Sequence, residues 1–212
     1  MKNNKKKAAF SAKEISLIAI FSVLTAVLAQ IAVPLPFTPV PISIGLVAVY
    51  TAGILLKPKH AVFSQLCYLT LGAIGVPVFG GFRGGIGALF GPTGGYLLVY
   101  PIMAWIVAKS LNSPTSLNNQ TGRISNRAVI FVKAGISICI AHMVLYIGGT
   151  IWLSITTGST FLAALSLAVF PFVLFDIIKI AFCIIAIVPF RLRLQSMNLL
   201  MLDDKAFKVK SV

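Results

Sequence analysis

The sequence is short of acidic residues, with four aspartates and glutamates against 18 lysines and arginines. Charged residues of both signs make up only 10% of the chain, whereas soluble domains carry roughly a quarter. Together with the 58% of hydrophobic residues, this scarcity of charge excludes an ordinary soluble domain. Nearly all the basic residues lie between or beyond the apolar runs, so the positive net charge does not indicate a partner nucleic acid.

The sequence also lacks the motifs of several chemistries. It has no GxxxxGK[ST] segment, so it carries no phosphate-binding loop for ATP. It has no HExxH, no GxSxG and no paired carboxylates, so nothing favours an enzyme. Cys67, Cys139 and Cys183 are isolated in apolar segments, which predicts small buried hydrophobic residues rather than a disulfide or a metal site.

Apolar runs long enough to cross a bilayer dominate what is present. They predict an all-α integral membrane protein, a single domain over residues 1–212 with six transmembrane helices surrounded by membrane lipid. We place the spans at about 15–33, 42–56, 61–76, 90–109, 128–155 and 165–190. The first run continues past a possible cleavage site at residues 27–29, so we expect an uncleaved helix. The prolines within residues 34–41 predict an extended segment.

The basic residues predict the orientation. Of the 18 lysines and arginines, 16 lie in the N-terminal arm, the turn after the second span, the loop after the fourth span and its flanks, or the C-terminal tail. The two exceptions are Arg83 and Lys179. Because cytoplasmic loops carry an excess of Lys and Arg, both termini are predicted to be cytoplasmic. The proline-rich and glycine-rich segments are then expected on the outer face.

Residues 72–96 contain ten of the chain's 17 glycines. Glycine this dense prevents a stable helix and lets backbone groups approach a ligand closely. At membrane depth, irregular backbone is tolerated only where it is buried in protein or lines a cavity. We therefore predict that this segment lines a site, with an ordinary external loop as the alternative.

Two charged residues, Asp176 and Lys179, lie within the sixth predicted span, three positions apart and thus on one helix face. An ionisable residue inside a membrane costs at least about 2.5 kcal/mol and so indicates a functional site. A pair that neutralises itself and fixes helix packing is the alternative. We expect the pair to bind a small ligand with hydrogen-bond donors and acceptors, and Arg83 to hold a ligand carboxylate at the mouth.

The other predicted site residues supply backbone contacts or an apolar wall: Gly84, Gly85, Phe79, Phe82, Tyr96, Tyr146 and Trp152. Trp152 also suits a lipid-facing aromatic belt. His142 in the fifth span is interpreted as a hydrogen-bonded packing residue, with a proton relay as the alternative. Ser22 and Ala26 form a small-residue face on the first span that favours close contact with another helix or subunit.

Six segments, in order along nearly the whole chain, resemble the BioY family, the biotin-specific S components of energy-coupling-factor (ECF) vitamin transporters. They are 31–41 (IAVPLPFTPVP), 71–79 (LGAIGVPVF), 84–87 (GGIG), 91–96 (GPTGGY), 146–153 (YIGGTIWL) and 171–179 (PFVLFDIIK). The chain departs from the family pattern at residues 43–45, where a T-L-Q run is usual, and at Phe175, where Gly is frequent.

The resemblance implies a six-helix subunit of the bacterial cell membrane that captures biotin from outside. It implies that Asp176 and Lys179 contact biotin and that the glycine-rich loop closes over it. The implied partners are a membrane coupling protein and two ATPase subunits, with Ser22 and Ala26 as the candidate docking face. Biotin is the transported ligand, and no cofactor is implied.

Two alternatives come from the residues alone. One is a self-sufficient proton-coupled transporter of a small amphiphilic metabolite, with Asp176, Lys179 and His142 as the relay. The other is an intramembrane enzyme or a structural scaffold, which the missing catalytic motifs do not favour. An uncoupler would stop the first, and turnover of a bound ligand would indicate the second.

Overall fold

The computed structural model describes residues 10–113 and 123–197, and these ranges are predominantly helical. The helices are α1 (Ala12–Gln30), α2 (Gly45–Leu55), α3 (Pro58–Ala73), α4 (Ile86–Phe90), α5 (Gly94–Asn112), α6 (Arg123–Thr157), α7 (Phe161–Ala168), α8 (Val173–Phe182) and α9 (Val188–Ser196). A π-helical turn, Cys183–Ile187, joins α8 to α9. Most of the predicted basic N-terminal arm, the centre of the loop after the fourth span and the C-terminal tail lie outside the described residues.

The ends of two helices follow from local chemistry. A capping box starts α1, since the Ser11 hydroxyl accepts a hydrogen bond from the Glu14 amide and the Glu14 carboxylate accepts one from the Ser11 amide. Pro58 opens α3, where its missing N–H and fixed φ suit the first helical position. The chain therefore begins these helices where its capping residues fall.

Within the described residues, four helical stretches are long and apolar enough to cross a membrane: Ala12–Gln30, Gly94–Asn112, Arg127–Thr157 and Val173–Ser196. The apolar helix α2 is shorter, at 11 residues, and α3 has 16. Large apolar side chains cover the outside of the bundle; Ile20, Val23 and Val27 of α1 each expose more than half of their surface. An apolar exterior of this kind suits surrounding lipid and defines a multi-pass membrane protein.

The proline-rich segment forms a β-hairpin, so the chain is not purely α-helical as predicted. β1 (Ala32–Leu35) pairs antiparallel with β2 (Thr38–Ser43), with Ala32 opposite Ser43. The register is irregular between Val33 and Leu35, where Pro34 cannot donate to the ladder. The extended conformation was predicted correctly, whereas the pairing was not predicted. The first span also ends earlier than expected, because α1 stops at Gln30.

The sixth predicted span is broken rather than continuous. α7 ends at Ala168, and a turn that includes Pro171 separates it from α8. Proline lacks an amide hydrogen and clashes with a preceding helical turn, which explains the break. Asp176 consequently lies in the first turn of α8. Near a helix N-terminus, a carboxylate is favoured by the helix dipole.

The core lies around α5, which packs against α2, α3 and α6. Met103, Ala104, Val107 and Ala108 of this helix are completely buried. Gly53 of α2 permits the close approach, because a Cβ atom there would lie 2.7 Å from Cβ of Val107. Short side chains at this contact let the helices pack tightly, as is typical of membrane bundles.

The prediction that all three cysteines are buried is wrong for two of them. Cys183 is buried, but Cys67 and Cys139 are exposed, and all three thiols are free. Cys67 and Cys139 lie on the outward sides of α3 and α6. A small apolar residue meets no cost facing lipid, so periodicity in an apolar helix does not identify its buried side.

Candidate ligand-binding site

A cavity of about 820 Å³, counted to its open mouth, lies between the ends of several helices and the glycine-rich segment. Its wall is formed by Ala29, Val40, Pro41, Ser43, Leu46, Tyr68, Phe79, Gly80, Arg83, Ala88, Thr93, Tyr96, Leu97, Tyr100, Leu145, Tyr146, Ala168, Phe172, Asp176 and Lys179. The wall is therefore largely apolar and aromatic, with three charged side chains.

Two of those charges form one ion pair. Nζ of Lys179 lies 2.9 Å from Oδ1 of Asp176, with both side chains on one face of α8, as their spacing predicts. Asp176 is only 4% exposed. A buried carboxylate needs compensating donors, and the lysine supplies one of them. The pair therefore presents both an anion and a cation to the cavity.

α6 supplies two more groups to the same carboxylate. The Tyr146 hydroxyl donates to Oδ2 of Asp176 at 2.7 Å, and Nε2 of His142 lies 3.2 Å from that oxygen. The other ring nitrogen of His142 shares a hydrogen bond of 2.5 Å with the Tyr50 hydroxyl of α2. His142 is buried and hydrogen-bonded, as predicted, and it is not part of the cavity wall. Asp176 of α8 is therefore approached directly by two side chains of α6, and α2 is linked to it through His142.

The glycine-rich segment contributes a tight turn to the wall. Phe79 and Arg83 pair antiparallel, with N–H···O distances of 2.9 and 3.1 Å, and Gly80 to Phe82 connect them. Phe79 is 2% exposed and packs edge-on against Tyr68, with ring centroids 5.5 Å apart. Gly72 is required beneath it, because a Cβ atom there would lie 2.0 Å from the Phe79 ring. This turn lines the cavity through Phe79, Gly80 and Arg83, and the rest of the segment adds Ala88, Thr93 and Tyr96.

Arg83 enters the cavity wall beside the turn that carries it. Its Nε donates to the Gly80 carbonyl at 3.1 Å, which holds the base of the guanidinium. Among the described residues, the ion pairs involve Glu14, His60, His142, Asp176 and Lys179 but not Arg83. Its terminal nitrogens are therefore not neutralised by a carboxylate of the described chain.

Gly84 and Gly85 lie behind the wall rather than in it. A Cβ atom on Gly84 would lie 2.5 Å from the Val76 carbonyl oxygen, so the backbone packs directly on the turn that follows α3. The Gly85 amide donates to the Gly72 carbonyl at 2.6 Å, and Gly85 has a φ of 90°, which favours glycine. Their predicted backbone contacts with a ligand stay a prediction, and in the structure these two glycines hold the turn against α3 and the residues that follow it.

Two aromatic residues also lie elsewhere than expected. Phe82 is 72% exposed at the tip of the turn, outside the cavity. Trp152 is half-buried, and its indole N–H donates to the Gly91 carbonyl at 2.9 Å. Trp152 therefore anchors the chain just before α5 and does not line the cavity, whereas Tyr96 and Tyr146 do.

The small-residue face of α1 is used within the chain. Ser22 is 2% exposed and Thr25 is completely buried, and α1 packs against α2 and α3. Ala26 is partly buried. The prediction of a docking face at Ser22 and Ala26 is therefore corrected for Ser22, because the short side chain already permits close helix contact inside this subunit.

Sequence reasoning missed several tyrosines. Tyr68 and Tyr100 both line the cavity with their rings nearly parallel, and their centroids are 6.2 Å apart. The Tyr68 hydroxyl is buried and has no hydrogen-bond partner among the described residues. Buried polar atoms are normally satisfied, so this hydroxyl suits a ligand acceptor or donor. Its signal in the sequence is a phenol in the middle of an apolar span.

The fold and the site together define a multi-pass helical membrane protein that encloses a pocket for a small, partly polar molecule. A family model described as "BioY family" matches residues 1–196. The chain belongs to the BioY family.

Comparison with individual proteins gives the same result. The chain is similar to a "Probable biotin transporter BioY" of Pyrococcus horikoshii, with 38% identity over 174 residues, 82% of this chain and 93% of that protein. It is 34% identical over 165 residues to "Biotin transporter BioY2" of Lactococcus lactis subsp. cremoris, covering 78% and 82% of the two chains. A crystal structure of the S-component for biotin from an ECF-type ABC transporter superposes with a TM-score of 0.73 and 25% identity, covering 90% of this chain and 94% of that one.

Proposed function

We propose that this chain is the substrate-specific subunit of an ATP-driven ECF transporter and that it captures biotin for uptake across the bacterial cell membrane. The observation that carries the proposal is the Asp176–Lys179 pair, joined by Tyr146, in the wall of an otherwise largely apolar cavity. Biotin offers matching chemistry, since its ureido ring has two N–H donors and a carbonyl acceptor. Its thioether ring and aliphatic chain suit the aromatic wall.

Arg83 is the proposed partner of the biotin carboxylate. Asp176 and Lys179 neutralise each other, which leaves the guanidinium as the cavity's unneutralised charge among the described residues. Guanidinium binds carboxylate strongly through paired hydrogen bonds. Phe79, Tyr96 and Tyr146 then form part of the apolar wall between the two polar ends, while Gly84 and Gly85 hold the turn that carries Arg83.

The proposed topology is a single transmembrane domain over residues 1–212 with six spans and both termini in the cytoplasm. The distribution of basic residues supports this orientation. The four long apolar stretches, together with α2 and α3, supply enough helices. The proposed partners are a membrane coupling protein and two ATPase subunits, which would provide the ATP chemistry for which this sequence carries no phosphate-binding loop.

Calorimetric titration of biotin into the detergent-purified chain, without any ATPase, tests the capture function. We expect near-stoichiometric binding. A folded sample that gives no binding heat and no shift of its unfolding temperature would contradict the proposal. Uptake in cells should then depend on the ATPase subunits; uptake that persists without them and stops with an uncoupler would indicate the proton-coupled alternative.

The role of Arg83 needs a paired comparison of ligands. Arg83→Gln should weaken binding of biotin by about tenfold or more, as expected for a lost charge-assisted hydrogen bond. The same variant should bind biotinamide, which lacks the carboxylate, with nearly wild-type affinity. Arg193→Gln is the matched control, because Arg193 is exposed on α9 and does not line the cavity. Equal losses of affinity for biotin and biotinamide would show that Arg83 does not bind the carboxylate.

A further inference from the structure

Gln30, the last residue of α1, reaches from the helix to the turn in the cavity wall. Its Nε2 donates to the Val78 carbonyl at 2.8 Å, just before Phe79. Its Oε1 accepts from the Phe82 amide at 2.9 Å, on the far side of the same turn. One carboxamide therefore holds the Phe79–Arg83 turn on both of its sides.

The carboxamide is already oriented by its own helix. Besides Val78, Nε2 donates to the Ala26 carbonyl at 3.0 Å, within α1. An amide nitrogen carries two hydrogens, so one can serve the helix while the other serves the turn. If the turn moved away, Gln30 would keep its bond to Ala26 and lose its two bonds to Val78 and Phe82. The Gln30 side chain is thus oriented by α1 and holds the turn through two hydrogen bonds.

The backbone conformation of Phe82 gives an independent reason why the turn needs these hydrogen bonds. Phe82 has a φ of 57°, a conformation that bulky residues adopt rarely and at an energetic cost. Its side chain is 72% exposed and so provides little packing to offset that cost. The hydrogen bond from the Phe82 amide to Gln30 helps to offset the energetic cost of this backbone conformation. This hydrogen bond joins the strained tip of the turn to the end of α1.

We propose that Gln30 is a positioning residue that latches the Phe79–Arg83 turn into the cavity wall and sets the rate at which the ligand leaves. The turn supplies Phe79, Gly80 and Arg83 to the wall, so its displacement would open the cavity and remove the guanidinium. Gln30 itself is not in the wall, and its effect on the ligand passes through the turn. The identity of the ligand rests on the proposed function, whereas the latch does not.

A ligand-free measurement tests the latch by itself. Ala168 lies in the cavity wall and is 1% exposed, so a cysteine there reacts with a water-soluble maleimide only through an open cavity. The variant carries Ala168→Cys, with Cys67, Cys139 and Cys183 replaced by alanine. Adding Gln30→Leu should accelerate labelling by about tenfold, since two hydrogen bonds to the turn are lost.

Gln65→Leu is the matched control. Gln65 lies on α3 and donates to the Thr25 hydroxyl of α1 at 3.2 Å. It is not a residue of the cavity wall, and its side-chain hydrogen bonds within the described chain are to Thr25 and Ser64 rather than to the turn. The same chemical change at this buried site should leave the labelling rate of Ala168→Cys unaltered. Equal acceleration by both variants would show general loosening of α1 against α3 and would overturn the latch.

Release of labelled biotin, chased with excess unlabelled biotin, supplies the second measurement. Gln30→Leu should raise the dissociation rate by about tenfold, and Gln30→Glu, which keeps an acceptor for the Phe82 amide, should raise it less. Unchanged labelling and unchanged release in a folded Gln30→Leu protein would refute the proposal. Accelerated labelling in a protein that binds no biotin would support the latch while rejecting biotin as the ligand.

Discussion

Replacing Asp176 with asparagine separates a ligand-binding role from a structural one. The substitution keeps the size of the side chain but removes its charge and one of its two acceptor oxygens. In the structure, one oxygen accepts from Lys179 at 2.9 Å and the other from Tyr146 at 2.7 Å. Asparagine cannot accept from both, because its second terminal atom is a donor. In the variant, at least one of the donors that bond to the carboxylate loses its acceptor. That donor is Lys179, Tyr146 or an N–H group of the bound ligand.

The expected loss follows from the type of contact. Hydrogen bonds to charged groups contribute about 1.5–3 kcal/mol, so the Kd for biotin should rise roughly 10- to 150-fold in Asp176→Asn. The free energy of unfolding should fall as well, since a Lys179 ammonium that is only 10% exposed would lose its anion. Removing one partner of a buried pair costs about 3–5 kcal/mol, and the partial access of Lys179 to the cavity places this case at the lower end.

The double variant Asp176→Asn/Lys179→Met distinguishes the two effects. It removes both charges, so stability should recover toward that of the wild-type protein, whereas biotin binding should stay weak. Calorimetry with biotin measures affinity, and thermal unfolding of the ligand-free protein in detergent measures stability. Wild-type affinity in folded Asp176→Asn and Lys179→Met proteins would refute the reasoning and leave the pair as a packing device.

Two further variants test the support of the site. Gly84→Ala should weaken biotin binding at least about fivefold, because its Cβ would lie 2.5 Å from the Val76 carbonyl, whereas Gly87→Ala has nothing within 4 Å and should bind normally. Similar Kd values for both would contradict the role of Gly84. Arg191 is 1% exposed and donates to the Ile54 carbonyl at the end of α2, so Arg191→Met should destabilise the protein by about 1–3 kcal/mol and lower its unfolding temperature in detergent. An unchanged unfolding temperature would show that this contact contributes nothing.

The residues that sequence reasoning placed correctly have strong local signals. A charge inside an apolar span is costly wherever that helix packs, so Asp176 and Lys179 are conspicuous in the sequence alone. A dense run of glycine disfavours helix, which identifies the turn that carries Arg83, although the short helix α4 and the start of α5 also lie within residues 72–96.

Other placements depended on neighbours that the sequence does not specify. Trp152 and Ser22 have chemistry that suits either of two environments, and the structure puts Trp152 on the Gly91 carbonyl and Ser22 inside the bundle. Gln30 is a polar residue at the end of a span, and its partners Val78 and Phe82 are about fifty positions away. No periodicity connects such residues.

The sequence by itself determined that this chain is a helical membrane protein, where most of its helices and its extended segment lie, and that one helix face carries a charged pair. These properties depend on the free energy of placing each side chain in lipid and on the local conformations of glycine and proline. Only the tertiary structure decided that α6 approaches Asp176, that α2 is linked to it through His142, and that Gln30 of α1 bonds to the Phe79–Arg83 turn. In an apolar helix every face tolerates lipid, so the choice of the face that turns inward is made by packing against the other helices.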